Sequence, residues 1–314
     1  MAFERVAILS IGEMGYHWAR LLSSRGVEVL SYLGGRSEAT QRRAAAAGVR
    51  QVKSMAQLVA EADLVVSIVV PFAALRVASS VAKALLKTPK PGLLFLDANA
   101  ISPITAARIE RVLEHAGASF VDGAIIGSAS RLEEKAVVYV SGPQAERIKA
   151  LGACGLKIEV LGREIGQASA FKILYAGLSK GLQGLFVELL LGARKYGLLD
   201  ELIARYHKSY PGLLDGVAHS IAALTVHGAR RAEEMVELAK TMRAKGLQPV
   251  MAPATRRVLA AIGALELGRL SGERAGSLPE LLDVLLDNGL LQMTGGKRKA
   301  ASTEDFSFAQ QRGG

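Results

Sequence analysis

The sequence predicts an α/β protein: an N-terminal domain with a doubly wound, mostly parallel sheet, followed by an all-α C-terminal domain. Short β-rich runs alternate with helical patterns as far as Gly162. Several of those runs are continuously apolar, as strands covered on both faces must be. Beyond Gly162 strand signals nearly vanish and helical periodicity takes over until about Leu291. The expected domains are therefore residues 1–162 and 163–292, and the remainder, 293–314, lacks periodicity and has the composition of a disordered tail.

In chain order, a first strand over 5–11 runs into Gly12 and Gly15, and Trp18, Leu21 and Leu22 share one face of the helix predicted over 14–24. A strand at 27–33 and a polar helix at 37–47 follow. Next come a helix at 55–60, an apolar strand at 64–70, a helix at 72–86 and a strand at 93–97. Short strands at 119–121 and 136–141 flank a glycine-rich turn; a helix at 144–151 and an edge strand near 157–161 complete the sheet. The segment 166–197 reads as one long helix. Its most apolar part, 176–193, is interrupted by Lys180, Gln183 and Glu188, which predicts a buried core helix and no membrane span. Its length suits an element between domains or subunits, hence a homodimer or higher homo-oligomer.

Bulk properties narrow the function classes. The 39 Lys and Arg against 29 Asp and Glu leave a net charge of +10, which fits an anionic ligand or a solvated basic surface. Aromatic residues make up only 5% and no basic run is interleaved with them, so no nucleic-acid partner is expected. The single cysteine, Cys154, and the absence of a leader-like order near the N-terminus predict a cytoplasmic protein. No metal is expected, because the histidines have no ligand spacing and one cysteine cannot form a thiolate cluster.

The strand–glycine–helix junction is the context of a Rossmann dinucleotide site, in which helix amides and the helix dipole meet a pyrophosphate. Its expected cofactor contacts are Ser10, Ile11, Gly12, Glu13, Met14 and Gly15, with Val70 and Pro71 added where the strand at 64–70 ends. Ser10 stands where the GxGxxG pattern has its first glycine. No carboxylate ends the second strand; Gly34, Gly35, Arg36 and Ser37 follow it instead. Arg36 and Ser37 suit a 2′-phosphate and favour NADP, NAD remaining possible, while Ser37 equally suits a helix cap.

Four segments resemble the β-hydroxyacid dehydrogenase family, relatives of phosphogluconate dehydrogenase and 3-hydroxyisobutyrate dehydrogenase. SIGEMG at 10–15 is similar to GLGxMG, DANAISP at 97–103 to DxSTxSP, DGAIIGSA at 122–129 to DAPVSGG, and GQASAFKILYAG at 166–177 to GxGxxxKxxxN. The resemblance covers most of the chain and implies hydride transfer between NAD(P) and a small 3-hydroxy acid or its oxo acid. It places Lys172 as the general acid/base. Asn99 and Ser102 would line the nicotinamide ribose or the substrate, and Gly127 and Ser128 would meet a carboxylate. Residues 227–255 resemble a subgroup with an uncharacterised phosphogluconate-dehydrogenase-like C-terminal domain.

Two departures stand out: the family's asparagine after the lysine is Ala176, and the serine of its SGG turn is Ile126. Helical spacing brings Tyr175, Ser179 and Lys180 near the face of Lys172. Tyr175 or Ser179 would replace the missing amide, and Lys180 would depress the lysine pKa or bind an acidic substrate. His227 and Arg231, with Arg230, form a basic cluster for a small anionic substrate, or a surface pattern paired with Glu233 and Glu234. Imine or ketone reduction on the same fold, and a silent NADP-binding redox sensor, are the alternative functions.

Overall fold

The computed structural model describes residues 3–214, 221–265 and 277–291, so the tail expected at 293–314 and the helical pattern at 215–220 and 266–276 lie outside the described residues. The sheet half runs β1 (Arg5–Leu9), α1 (Glu13–Ser24), β2 (Glu28–Tyr32), α2 (Glu38–Ala46), β3 (Arg50–Val52), α3 (Met55–Glu61), β4 (Leu64–Ser67) and α4 (Ala74–Lys87). It continues with β5 (Leu94–Asp97), α5 (Pro103–His115), β6 (Ser119–Ile126), β7 (Val137–Ser141) and β8 (Lys157–Gly162). All eight strands form one sheet in the order β3-β2-β1-β4-β5-β6-β7-β8, and only β6–β7 is antiparallel. The order reverses between β1 and β4, which opens a crevice at their carboxyl ends, the usual ligand position in such sheets.

Successive strand residues feed opposite cores, as pleated geometry requires. Val6 and Ile8 pack with α1 on one face, whereas Ala7 and Leu9 pack with α3, α4 and α5 on the other. Trp18 of α1 is fully buried, and its indole Nε1 has no hydrogen-bond partner among the described residues.

Three local expectations change. Helix α5 was not anticipated, although Ser102 caps it, Pro103 starts it, and Ala106, Ile109 and Leu113 bury its apolar stripe. Strand β6 extends to Ile126, five residues beyond the 119–121 expected, because the β7 ladder holds it from Asp122 to Ile126. Residues Ala145–Cys154 form a 3-10 helix.

The helical half contains α6 (Gln167–Tyr196), α7 (Leu199–Ser209), α8 (Leu224–Arg243), α9 (Met251–Ala264) and α10 (Leu278–Asp287). Its core joins Ile173, Val187 and Leu190 of α6 to Leu224, Met235, Leu259 and Leu282. By length and composition α6 could cross a membrane, yet its buried side chains belong to this core and its first turn is bonded to the sheet. Gly177 permits α8 to approach α6, since a Cβ there would lie 2.8 Å from Leu238 Cδ2. That close approach brings α8 beside the turns of α6 that carry Lys172 and Lys180.

Candidate functional site

The nucleotide half of the site is built from backbone. Ser10 follows β1 with φ +89°, a left-handed conformation that favours glycine, so a serine occupies the position that the dinucleotide pattern gives to Gly. Gly15 is required sterically: a Cβ there would lie 2.2 Å from the Ser10 carbonyl oxygen. Gly12 is the N-cap of α1 and provides no side-chain cap, leaving first-turn amides available to an anion. Such an uncapped terminus at the strand reversal fits a dinucleotide pyrophosphate. Ile11 is buried, so only its backbone faces that ligand, while Glu13 is exposed and Met14 partly buried against the core.

Arg36 lies exposed just beyond β2, a strand whose end carries no Asp or Glu. Ser37 caps α2, its hydroxyl accepting from the Thr40 amide at 3.4 Å, so its first role is local. Val70 and Pro71 follow β4, at the other lip of the crevice, with Val70 exposed. Asn99 is almost wholly buried and its side chain is committed to the sheet. Its Nδ2 donates to Ser67 Oγ at 3.0 Å and Asp97 Oδ2 at 2.8 Å, and its Oδ1 accepts from the Val69 amide at 2.6 Å. Asn99 therefore fastens the β4 and β5 loop ends together.

The chemical half is built from side chains that converge on Lys172. Burial drives the Lys172 amine down to about 8; Glu234 and Asp97 oppose that shift, and Lys180 and Arg230 reinforce it. Asp97, fully buried at the end of β5, is pushed up to about 7 by burial, against the hydrogen bonds from Asn99. Glu234 on α8 is buried and pairs with Lys180 at 2.9 Å and Arg230 at 3.2 Å. Arg231 donates to Gln183 Oε1 at 3.0 Å. Exposed His227 is held below the usual histidine range by burial and by Arg230 and Arg231, while Glu13 acts in the opposite sense. Helix α8 thus approaches the loops after β1 and β5: His227 lies within the field of Glu13, and Glu237 accepts from the Ser102 amide at 3.0 Å.

Other expected residues have different placements. Ser102 is buried and its hydroxyl caps α5 through the Thr105 amide. Ser179 donates to the Ala176 carbonyl at 3.1 Å, and Tyr175 is 59% exposed within the field of Tyr139. The Ser179 hydroxyl is thus spent on its own helix and Tyr175 is largely exposed; the charged groups acting on Lys172 are Glu234, Asp97, Lys180 and Arg230. Gly127 and Ser128 are exposed where β6 ends.

Sequence reasoning passed over Asp122, Glu234 and Glu237 as site residues. Asp122 opens a segment whose local signal is its glycine turn, and in the sequence Glu234 presents itself only as a local partner of the α8 arginines. That pairing with Arg230 exists, but the link to Lys180 spans two helices.

Residues 5–158 match the NAD binding domain of 6-phosphogluconate dehydrogenase, and residues 193–262 match a domain of unknown function, DUF1932. An uncharacterized 28.5 kDa protein in the 7S RNA 5′ region of Methanothermus fervidus is 31% identical over 255 residues, covering 81% of this chain and 97% of the relative. A solved structure of a conserved protein of unknown function, described as structurally similar to 3-hydroxyacid dehydrogenases, is 32% identical with TM-score 0.68, covering 84% of this chain and 98% of its own. The 3-hydroxyisobutyrate dehydrogenase of Mycobacterium tuberculosis shares the fold at 19% identity and TM-score 0.70, covering 90% and 99%.

Proposed function

The chain belongs to the β-hydroxyacid dehydrogenase family, in a subgroup whose C-terminal domain has no assigned function, and from that premise we propose an NADP-preferring oxidoreductase acting on a small anionic 3-hydroxy acid or its oxo acid. The carrying observation is Lys172, whose partly buried amine lies between the carboxyl edge of the sheet and the charged face of α8. Gly12, Gly15 and the first-turn amides of α1 would hold the pyrophosphate, and Arg36 the 2′-phosphate. Bound there, the nicotinamide supplies the hydride acceptor or donor. In the oxidative direction neutral Lys172 takes the hydroxyl proton; in the reductive direction its ammonium returns one. Because the amine titrates near 8, both forms are present in useful amounts around neutrality. Arg230, 59% exposed, Arg231 and His227 would provide a polar wall for an anionic substrate, and Gly127 and Ser128, exposed where β6 ends, would meet its carboxylate.

The test is NADP-dependent oxidation of a panel of 3-hydroxy acids, followed as reduced nicotinamide, in the unaltered protein and in Lys172→Ala. Turnover should fall about 100-fold or more in the variant while NADPH affinity is retained. Failure to bind either dinucleotide would overturn the oxidoreductase reading. Binding without turnover on hydroxy acids would point to a sensor, and full activity of the variant on imines to imine reduction.

We place the domain division near Gly162 and the protein in the cytoplasm. A second copy is the proposed cover for α6, where Phe171, Leu174, Leu178, Leu185 and Leu189 remain exposed along the helix. Sedimentation should give a dimer or larger assembly; a monomer at micromolar concentration would defeat that part.

A further inference from the structure

We propose that Asp122 is a positioning residue for Lys172: it clamps the first turn of α6 onto β6 and so holds the lysine one turn further on at the buried edge of the sheet. The carboxylate accepts four hydrogen bonds. Its Oδ2 receives the Gly166 amide at 3.0 Å, the Ser169 amide at 2.9 Å and Ser141 Oγ at 3.2 Å; its Oδ1 receives Ser169 Oγ at 2.5 Å. Ser141 Oγ in turn accepts from the Ala168 amide at 3.0 Å. Three amides that the start of a helix leaves unpaired are thereby met by two side chains of the sheet.

An acid buried here has a cost that ordinary capping does not, because an exposed serine would cap a helix without desolvating a charge. Burial pushes Asp122 up, and the donors from Ser169, Ser141 and Gly166 pull it down. In exchange, the first-turn amides of α6 are tied to β6 and β7. Ser169 lies three residues before Lys172 on the same helical face, so the clamp transmits directly to the lysine. Asp122 is also the register partner of Asp97 on β5, and its charge raises the Asp97 pKa. The groups facing Lys172 are Asp97 from β5, Glu234 and Arg230 from α8, and Lys180 from α6. Glu110 of α5 lies within the field of Asp122.

Since desolvation is the main cause of the lowered Lys172 pKa, loosening the first turn of α6 should rehydrate the amine and raise it. Ionisation of Asp97, easier without the neighbouring charge, acts in the same direction. The inference rests on the reading of Lys172 as the acid/base group. Its test requires no substrate: pH-dependent trace acetylation of Lys172 with acetic anhydride, quantified by peptide mass spectrometry on the full chain. The unaltered protein should give a midpoint near 8. Asp122→Ala should raise it by about one unit, Asp122→Asn by less because one acceptor is kept, and Ser169→Ala by less again. A simple stability role would lower Tm yet leave the midpoint fixed well below the transition, and that result in the variants that fold would overturn the proposal. If Asp122→Ala does not fold, the Asn and Ser169 variants decide the matter. An ordinary lysine midpoint in the unaltered protein would instead defeat the acid/base reading itself.

Discussion

The two halves of the cleft are made in different ways. The nucleotide side depends on six consecutive residues, Ser10 to Gly15, and mainly on their backbone. The Lys172 side depends on Asp97, Asp122, Ser141, Lys180 and Glu234, which come from three neighbouring strands and two helices. A backbone site tolerates changes of side-chain chemistry but not of volume, whereas a convergent site tolerates modest changes of volume but not of charge.

Four substitutions would sharpen or break this contrast. The largest effect should come from Gly15→Ala, because its Cβ would press on the Ser10 carbonyl at 2.2 Å and force α1 away from β1. NADPH affinity should fall about 100-fold and stability by about 3 kcal/mol; calorimetry and thermal unfolding report the two, and a variant that binds normally would refute the close-approach argument.

On the other side, Glu234→Gln conserves volume and deletes charge. It removes the carboxylate that most strongly raises the Lys172 pKa, so the midpoint should move from about 8 to lower pH, by about one unit. Oxidation needs the neutral amine and rises with pH to a plateau above that midpoint; the variant should therefore gain up to about tenfold in the neutral fraction below it. Lys180 loses its partner, which should cost about 3 kcal/mol. A pH–rate profile that stays in place would break the convergent half of the comparison.

Arg36→Ala should weaken NADPH binding about tenfold and leave NADH unchanged, given the strength of hydrogen bonds to charged groups. Equal losses for both dinucleotides would remove the basis of the NADP preference. Ser10→Gly should have the smallest effect. Relief of the left-handed serine, worth about 1–2 kcal/mol, is offset by glycine's greater freedom when unfolded, about 0.5–1 kcal/mol, leaving a modest rise in Tm. A fall in Tm would mean that the serine hydroxyl contributes more than its backbone strain costs.

The same contrast explains what the residues disclosed before any fold was known. Strands β1, β4 and β5 and the junction into α1 were legible because their signals are local: apolar runs and glycines within a few positions. Helix α5 carries an equally local signal in Ser102 and Pro103, but the same residues also carry the family pattern, which masks it. The clamp at Asp122 was not legible, since Ser169 lies 47 positions away and acquires meaning only through the β6–α6 contact. Likewise, Ser102 meets Glu237 across 135 positions, a pairing that no window of periodicity contains. Lys172 was found through a resemblance rather than through its spacing; an apolar helix with one lysine in it would otherwise read as a snorkelling side chain.

The lone tryptophan gives the molecule a built-in optical probe. Trp18, on α1 a few residues past the glycine turn, is fully buried, so its emission should be blue-shifted and should move to the red on unfolding. Its emission also overlaps the absorption of reduced nicotinamide, so energy transfer should dim it when NADPH enters the crevice. Titrations can therefore be read without a label, from a chromophore that the fold itself has placed beside the cofactor loop.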